Sequence, residues 1–177
     1  MEELIAKRYI KAIKQGLDIE SIQKIASIFS VLAESFNNEK FNQVMNNPDI
    51  SKKQKADILL LAVKSADSNI VENLIKLLVE HNRINIIPAI AEVMRKDIAI
   101  TTKNYNGIIY SDSDMDSKVI EDLGNGLGSK FDSNISLKLV KENFNGIKVD
   151  VEDLGIEISF SKSRINSQII EHIAKAI

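Results

Sequence analysis

The chain reads as an α plus α/β protein: an N-terminal six-helix bundle over residues 1–103, then a small C-terminal module of about four strands and two helices over residues 104–177. Three observations predict this. Apolar residues recur with the helical period of 3.6 through the first hundred positions. After Lys103 the period drops to 2 in several short runs. At 177 residues, 44% apolar and 27% charged, the chain is long enough for two modest cores and is composed as a globular protein.

The elements follow in order. Leu4 to Leu17 sets Ile5, Ala6, Tyr9, Ile10, Ala12 and Ile13 on one broad arc, with Lys7, Arg8, Lys11 and Lys14 opposite. Ile19 to Phe36 repeats the pattern through Ile22, Ile25, Ala26, Phe29, Leu32 and Ala33. A short helix around Phe41 to Met45 stops at Asn46-Asn47-Pro48, because proline removes a donor and clashes with the preceding turn. Ser51 caps a helix to about Lys64, and Asn69 with Glu72 makes a capping-box-like start to Ile70–His81. The sixth helix begins near Asn85 and takes Pro88 into its first turn, where the N–H groups have no intrahelical partner. It runs to about Thr102.

In the second module "NGIIYS" is a strand candidate. Ser113 to Asp116 opens a helix bearing Met115, Val119, Leu123 and Leu127. Three alternating runs follow: Ile135, Leu137, Leu139; Ile147, Val149, Val151; Ile156, Ile158, Phe160. Asn145-Gly146 predicts a tight hairpin between the first two, since both residues tolerate positive φ. Ser163 to Ile177 reads as a closing helix with Ile165, Ile169 and Ile173 on one side.

Several chemistries are excluded. There is no cysteine, so neither disulfides nor thiolate metal sites arise. His81 and His172 are too far apart in sequence for metal-ligand spacing. "EDLGNGLGSKF" mimics a phosphate-binding loop, but the P-loop's second glycine would fall on Ser129, and Phe131 stands where a magnesium-binding hydroxyl belongs. These glycines read instead as a fraying helix end, with Gly128 as a left-handed cap. "SDSDMDS" mimics a calcium loop through Asp112, Asp114 and Asp116, yet Ser117 replaces its glycine and Leu123 its glutamate. The acids suit a helix N-terminus. Through Lys103 there are 15 basic and 13 acidic residues, and 8 and 12 thereafter, so no basic stripe for a nucleic acid is present. The longest apolar run, Ile58 to Val63, is too short for a membrane span, and Met-Glu-Glu is no signal peptide.

Apolar helix surface is over-supplied. On Ile70 to Glu80, Ile70, Val71, Leu74, Ile75, Leu77, Leu78 and Val79 cover about 200° of arc, and the first helix covers about 160°. A surface helix needs only about half of the larger figure. Either these helices are sandwiched within the bundle, which is the usual fate, or they share a groove for a foreign helix.

Three stretches bear on that choice: "IAKRYIKAI", "NLIKLLVEHNRINIIPAIAEVMRK" and the strand-rich tail, in that order. The chain resembles the delta subunit of the F-type rotary ATP synthase, the bacterial counterpart of the mitochondrial oligomycin-sensitivity-conferring protein, across essentially its whole length. The Glu80-His81-Asn82-Arg83-Ile84 turn with its following proline is the most specific part. The tail departs from the pattern: only Leu154-Gly155 stands where a Gly-Gly pair is usual, and Ile165-Asn166-Ser167 where Asp-Gly-Ser is.

The resemblance implies a non-catalytic stator protein with no cofactor, joining the catalytic head to the peripheral stalk so that the head does not turn with the rotor. Residues 1–103 would receive the N-terminal helix of an alpha subunit between the first and fifth helices, through Ile5, Tyr9, Ala12, Ile70, Leu74 and Leu77. Residues 104–177 would meet the C-terminal end of the b-type stalk subunits. It implies a peripheral location on the cytoplasmic side of the bacterial plasma membrane, no direct membrane insertion, no nucleic acid, and a monomer when alone. The alternatives are an unrelated helical adaptor that captures another amphipathic segment, and a small nucleotide enzyme using the glycine stretch.

Overall fold

Helices form wherever the apolar period is 3.6. The computed structural model describes residues 2–143 and 146–161. Six of them lie in the first part: α1 (Glu2–Ile13), α2 (Ile19–Ser35), α3 (Glu39–Asn46), α4 (Lys52–Val63), α5 (Asn69–Glu80) and α6 (Ile87–Thr102). The chain divides into two compact units, Met1–Ile98 and Ala99–Ile177, so the division falls within α6.

Local chemistry sets most of the helix ends. Asp18 caps α2 by accepting from the Ser21 N–H at 3.0 Å, and Asn38 caps α3. Ser51 and Gln54 close a reciprocal capping box on α4. α1 stops four residues short of Leu17, because Gly16 takes φ +92°, a left-handed conformation that ends the helix. The start of α5 also differs from expectation. Its cap is Ser68, whose hydroxyl accepts from the Val71 N–H, and Asn69 is the first helical residue. Pro88 is the second residue of α6, where its missing N–H costs nothing. Within this unit Phe29, Leu59, Ile75, Leu78, Ile87, Ile90 and Met94 are fully buried in one core.

The second unit holds β1 (Asn104–Ser111), α7 (Ser117–Phe131), β2 (Asn134–Lys141), β3 (Gly146–Val151) and β4 (Ile156–Ser161). The four strands form one mixed sheet in the order β2-β1-β3-β4. β1 and β2 are parallel, as a strand–helix–strand crossover requires, with Asn104 opposite Asn134 and Ser111 opposite Lys141. β3 runs antiparallel to both β1 and β4. The alternation read from sequence holds: Tyr105, Ile109, Ile135, Val149 and Val151 are buried in one core, joined by Leu137, Leu139, Ile156 and Ile158. Phe160 shares their phase but lies 54% exposed.

Two expectations fail here. The hairpin between β2 and β3 does not form, because these strands lie on opposite sides of β1. The connection passes the end of β1, where the Glu142 N–H donates to the Ser111 carbonyl at 3.1 Å. It must cross two strand spacings, about 10 Å, which a two-residue turn does not span.

The glycines of α7 neither fray it nor stop it. The helix runs through all three to Phe131, and the left-handed cap is Asp132 at φ 49°. Gly124 and Gly128 stand one helical turn apart, facing the backbone of the following segment. A Cβ on Gly124 would lie 2.6 Å from the Ile135 carbonyl oxygen, and one on Gly128 2.5 Å from that of Ser133. Both distances are inside van der Waals contact. These glycines let α7 sit directly against β2, whereas Gly126 faces open space. The closing helix expected over Ser163–Ile177, with His172, lies outside the described residues.

Candidate functional site

The rims of α1 and α5 carry the strongest surplus of apolar surface that sequence predicted. On α5 the arc splits. Val71, Leu74, Ile75, Leu78 and Val79 turn into the core, while Ile70 and Leu77 stay 39% and 40% exposed at its outer edge. Leu74, only 6% exposed, lies behind them in the same i, i+4, i+7 stripe. α1 repeats the arrangement in the same phase. Ala6 and Ile10 are buried, Ile5 and Tyr9 are half-buried against the core, and Ala12 is exposed. Of the six residues singled out, five therefore present surface and Leu74 belongs to the floor beneath it.

The turn after α5 joins the two helices, and its residue types explain how. Asn82 takes φ 55°, a left-handed conformation that asparagine tolerates. Its N–H donates to the Val79 carbonyl at 3.1 Å, and the Arg83 N–H donates to the Leu78 carbonyl at 2.7 Å. This reciprocal pair is the Schellman termination. It ends the helix and directs Arg83 to α1, where Nη1 donates to the Tyr9 hydroxyl at 3.1 Å. The guanidinium carbon stands 5.9 Å from the centre of the Tyr9 ring. Such a contact is worth about 0.5–1 kcal/mol at an exposed position. Arg83 was not among the residues singled out. Its signal was the asparagine at the helix end, which marks the next residue as the first to leave the axis.

α1 is also bordered by charge. Lys7 pairs with Glu3 at 2.6 Å and Lys14 with Asp97 at 2.6 Å. On α6, Glu92 receives Arg95 at 2.9 Å and Lys96 at 3.2 Å. The hydrogen bond from Arg95, supported by Lys96, lowers the Glu92 carboxyl from its ordinary 4.5 to about 2.

A second apolar surface lies between α2 and α4. Ile28, Val31, Leu32, Ala62 and Val63 line a hollow of about 260 Å³, and nearby Val31 and Leu61 are 67% and 72% exposed.

The two motifs that mimic ligand loops have structural roles. Asp116 caps α7 by accepting from the Lys118 N–H at 3.0 Å, and Asp114 pairs with Lys141 at 2.7 Å. The glycine stretch borders a polar hollow of about 710 Å³ with Asn125, Ser129, Asp132 and Ser136. It stands at the C-terminal end of α7, whose carbonyls carry partial negative charge and disfavour phosphate. The nearby Lys103 is already paired with Asp132.

Comparison with known proteins decides the family. Residues 5–168 match the family described as ATP synthase delta (OSCP) subunit. The chain belongs to that family. The ATP synthase subunit delta of Sulfurimonas denitrificans is 73% identical over the full length of both chains, and that of Aliarcobacter butzleri is 40% identical over the same span. In fold it is similar to a chain of the Toxoplasma gondii mitochondrial ATP synthase hexamer, with a TM-score of 0.63 over 98% of this chain and 97% of that one. Sequence identity there is 16%. As a delta-family member the protein is a stator component of the peripheral stalk with no catalytic role of its own. The alternatives of an unrelated adaptor and a small enzyme fall with that membership. It is peripheral to a membrane-bound complex, and no described helix is long and apolar enough to cross a membrane.

Proposed function

We propose that α1–α6 form a six-helix bundle, residues 1–103, which receives the N-terminal helix of an alpha subunit along the rims of α1 and α5. Residues 104–177 meet the C-terminal end of the b-type stalk subunits, on the cytoplasmic side of the bacterial plasma membrane. The observation that carries the first contact is the split arc of α5, on which Ile70 and Leu77 remain partly uncovered after the core is filled. An incoming helix laid across Ile5, Tyr9, Ala12, Ile70 and Leu77, above Leu74, completes the burial that the chain's own interior leaves unfinished. The task is mechanical. The chain carries load between head and stalk while no bond is made or broken in it.

Titration with a synthetic peptide covering the N-terminal helix of the cognate alpha subunit tests this contact. Amide shifts are expected in α1, α5 and the Asn82–Arg83 turn. Burying a leucine-sized side chain contributes about 1.5–3 kcal/mol, so Leu77→Ala should weaken binding roughly 10- to 150-fold. Shifts confined to the α2–α4 hollow, with Leu77→Ala neutral, would move the contact to that surface instead.

A further inference from the structure

The four cations on α1 do not share one condition. Successive steps of about 100° place Lys7 and Lys14 roughly 180–200° from Ile5, on the flank where each has a carboxylate partner. Arg8 and Lys11 fall about 60° and 120° to the other side of Ile5, bordering the Ile5–Tyr9–Ala12 stripe on its solvent edge. Among the described residues neither has an ion-pair partner. Arg83 joins them at Tyr9. It is exposed, and its side chain donates to a neutral hydroxyl, which leaves most of its five N–H groups without a carboxylate. The matching flank of α5 is not basic. It carries Asn73, Lys76 already paired with Glu72, and Glu80.

From this asymmetry we infer that the helix seated on the rim carries carboxylates along the flank that meets Arg8, Lys11 and Arg83. This rests on the reading above and extends it from apolar burial to charge. An apolar stripe by itself accepts an amphipathic helix in either direction and over a range of rotations. A line of unpartnered cations on one border selects one rotation and disfavours a partner with basic residues there. Arg83 contributes most to direction, because its fork matches a carboxylate in two hydrogen bonds and its plane is already held by Tyr9. Lys7 and Lys14, satisfied within the chain, take no part.

The test uses the full chain and the same cognate alpha-subunit peptide, with association rates measured at low and high salt. Arg8→Glu, Lys11→Glu and Arg83→Glu are each expected to slow association about threefold or more at low salt, with the difference fading near 1 M salt, where screening lengths fall to about 3 Å. Lys53→Glu, a reversal of equal charge on α4 away from the rim, is expected to change it much less. A peptide with its glutamates and aspartates replaced by amides should lose the sensitivity to Arg8, Lys11 and Arg83. If the three reversals match Lys53→Glu, or speed association, while Leu77→Ala still weakens binding, the charge inference is overturned and the apolar contact stands. If the wild-type chain does not bind the peptide, the contact itself is wrong and the inference falls with it.

Discussion

Helices α5 and α7 attach to their cores by opposite means. α5 uses bulk: Val71, Leu74, Ile75, Leu78 and Val79 fill the helical core, and its remaining apolar side chains spill over the outer edge. α7 uses the lack of bulk. Gly124 and Gly128 bring its backbone against the carbonyls of Ile135 and Ser133, so its hold on β2 depends on shape more than on side-chain area. The difference teaches where a second chain can be accommodated. A helix anchored by surplus side chains keeps some for a partner, while a helix anchored by close approach has none to spare along that line.

Substitutions that exchange these means test the contrast most strongly. Ile75, fully buried in α5, should cost about 2–5 kcal/mol when cut to alanine, read from hydrogen exchange of the α4 and α5 amides. A loss under 1 kcal/mol would show that α5 is not held by bulk. In α7 the smallest enlargement should harm instead. Gly124→Ala places a methyl against the Ile135 carbonyl, and the expected net loss is about 1–2 kcal/mol after the helix-propensity gain. The denaturation midpoint of the sheet unit measures it.

Gly126 sharpens the same point with the opposite sign. Nothing stands near its added Cβ, so Gly126→Ala should stabilise α7 by up to about 1 kcal/mol. A matching response at positions 124 and 126 would remove close approach as the explanation. The smallest effect expected is at Glu92. Its folded pKa of about 2 lies below the ordinary 4.5, so its contribution is present above pH 4.5 and is lost as pH falls toward 2. The carboxylate is half-exposed and screened, so wild type should exceed Glu92→Gln by only a few tenths of a kcal/mol at pH 7, with the gap closing in acid.

Helix existence was legible because it depends on neighbours three and four positions away. α2 and α4 begin where Asp18 and Ser51 announce them, while α5 begins one residue early because a serine hydroxyl reached its donor before asparagine could. The inward faces of β1 to β4 were equally legible, since side chains alternate strictly along a strand. The rim residues were only half legible. Periodicity placed Leu74 and Leu77 in one stripe, but which of them the core would cover depends on the depth to which α5 sinks among its neighbours.

Sequence alone determined the helices, the strands, their buried faces and the family to which the chain belongs, because each is written in local spacing and residue type. Tertiary structure alone decided that β3 pairs with β1 and not with β2, that Gly124 and Gly128 are points of contact and not of termination, and that Arg83 reaches Tyr9. Each of these depends on which distant backbone arrives alongside, and the spacing of residues along one chain carries no record of that distance.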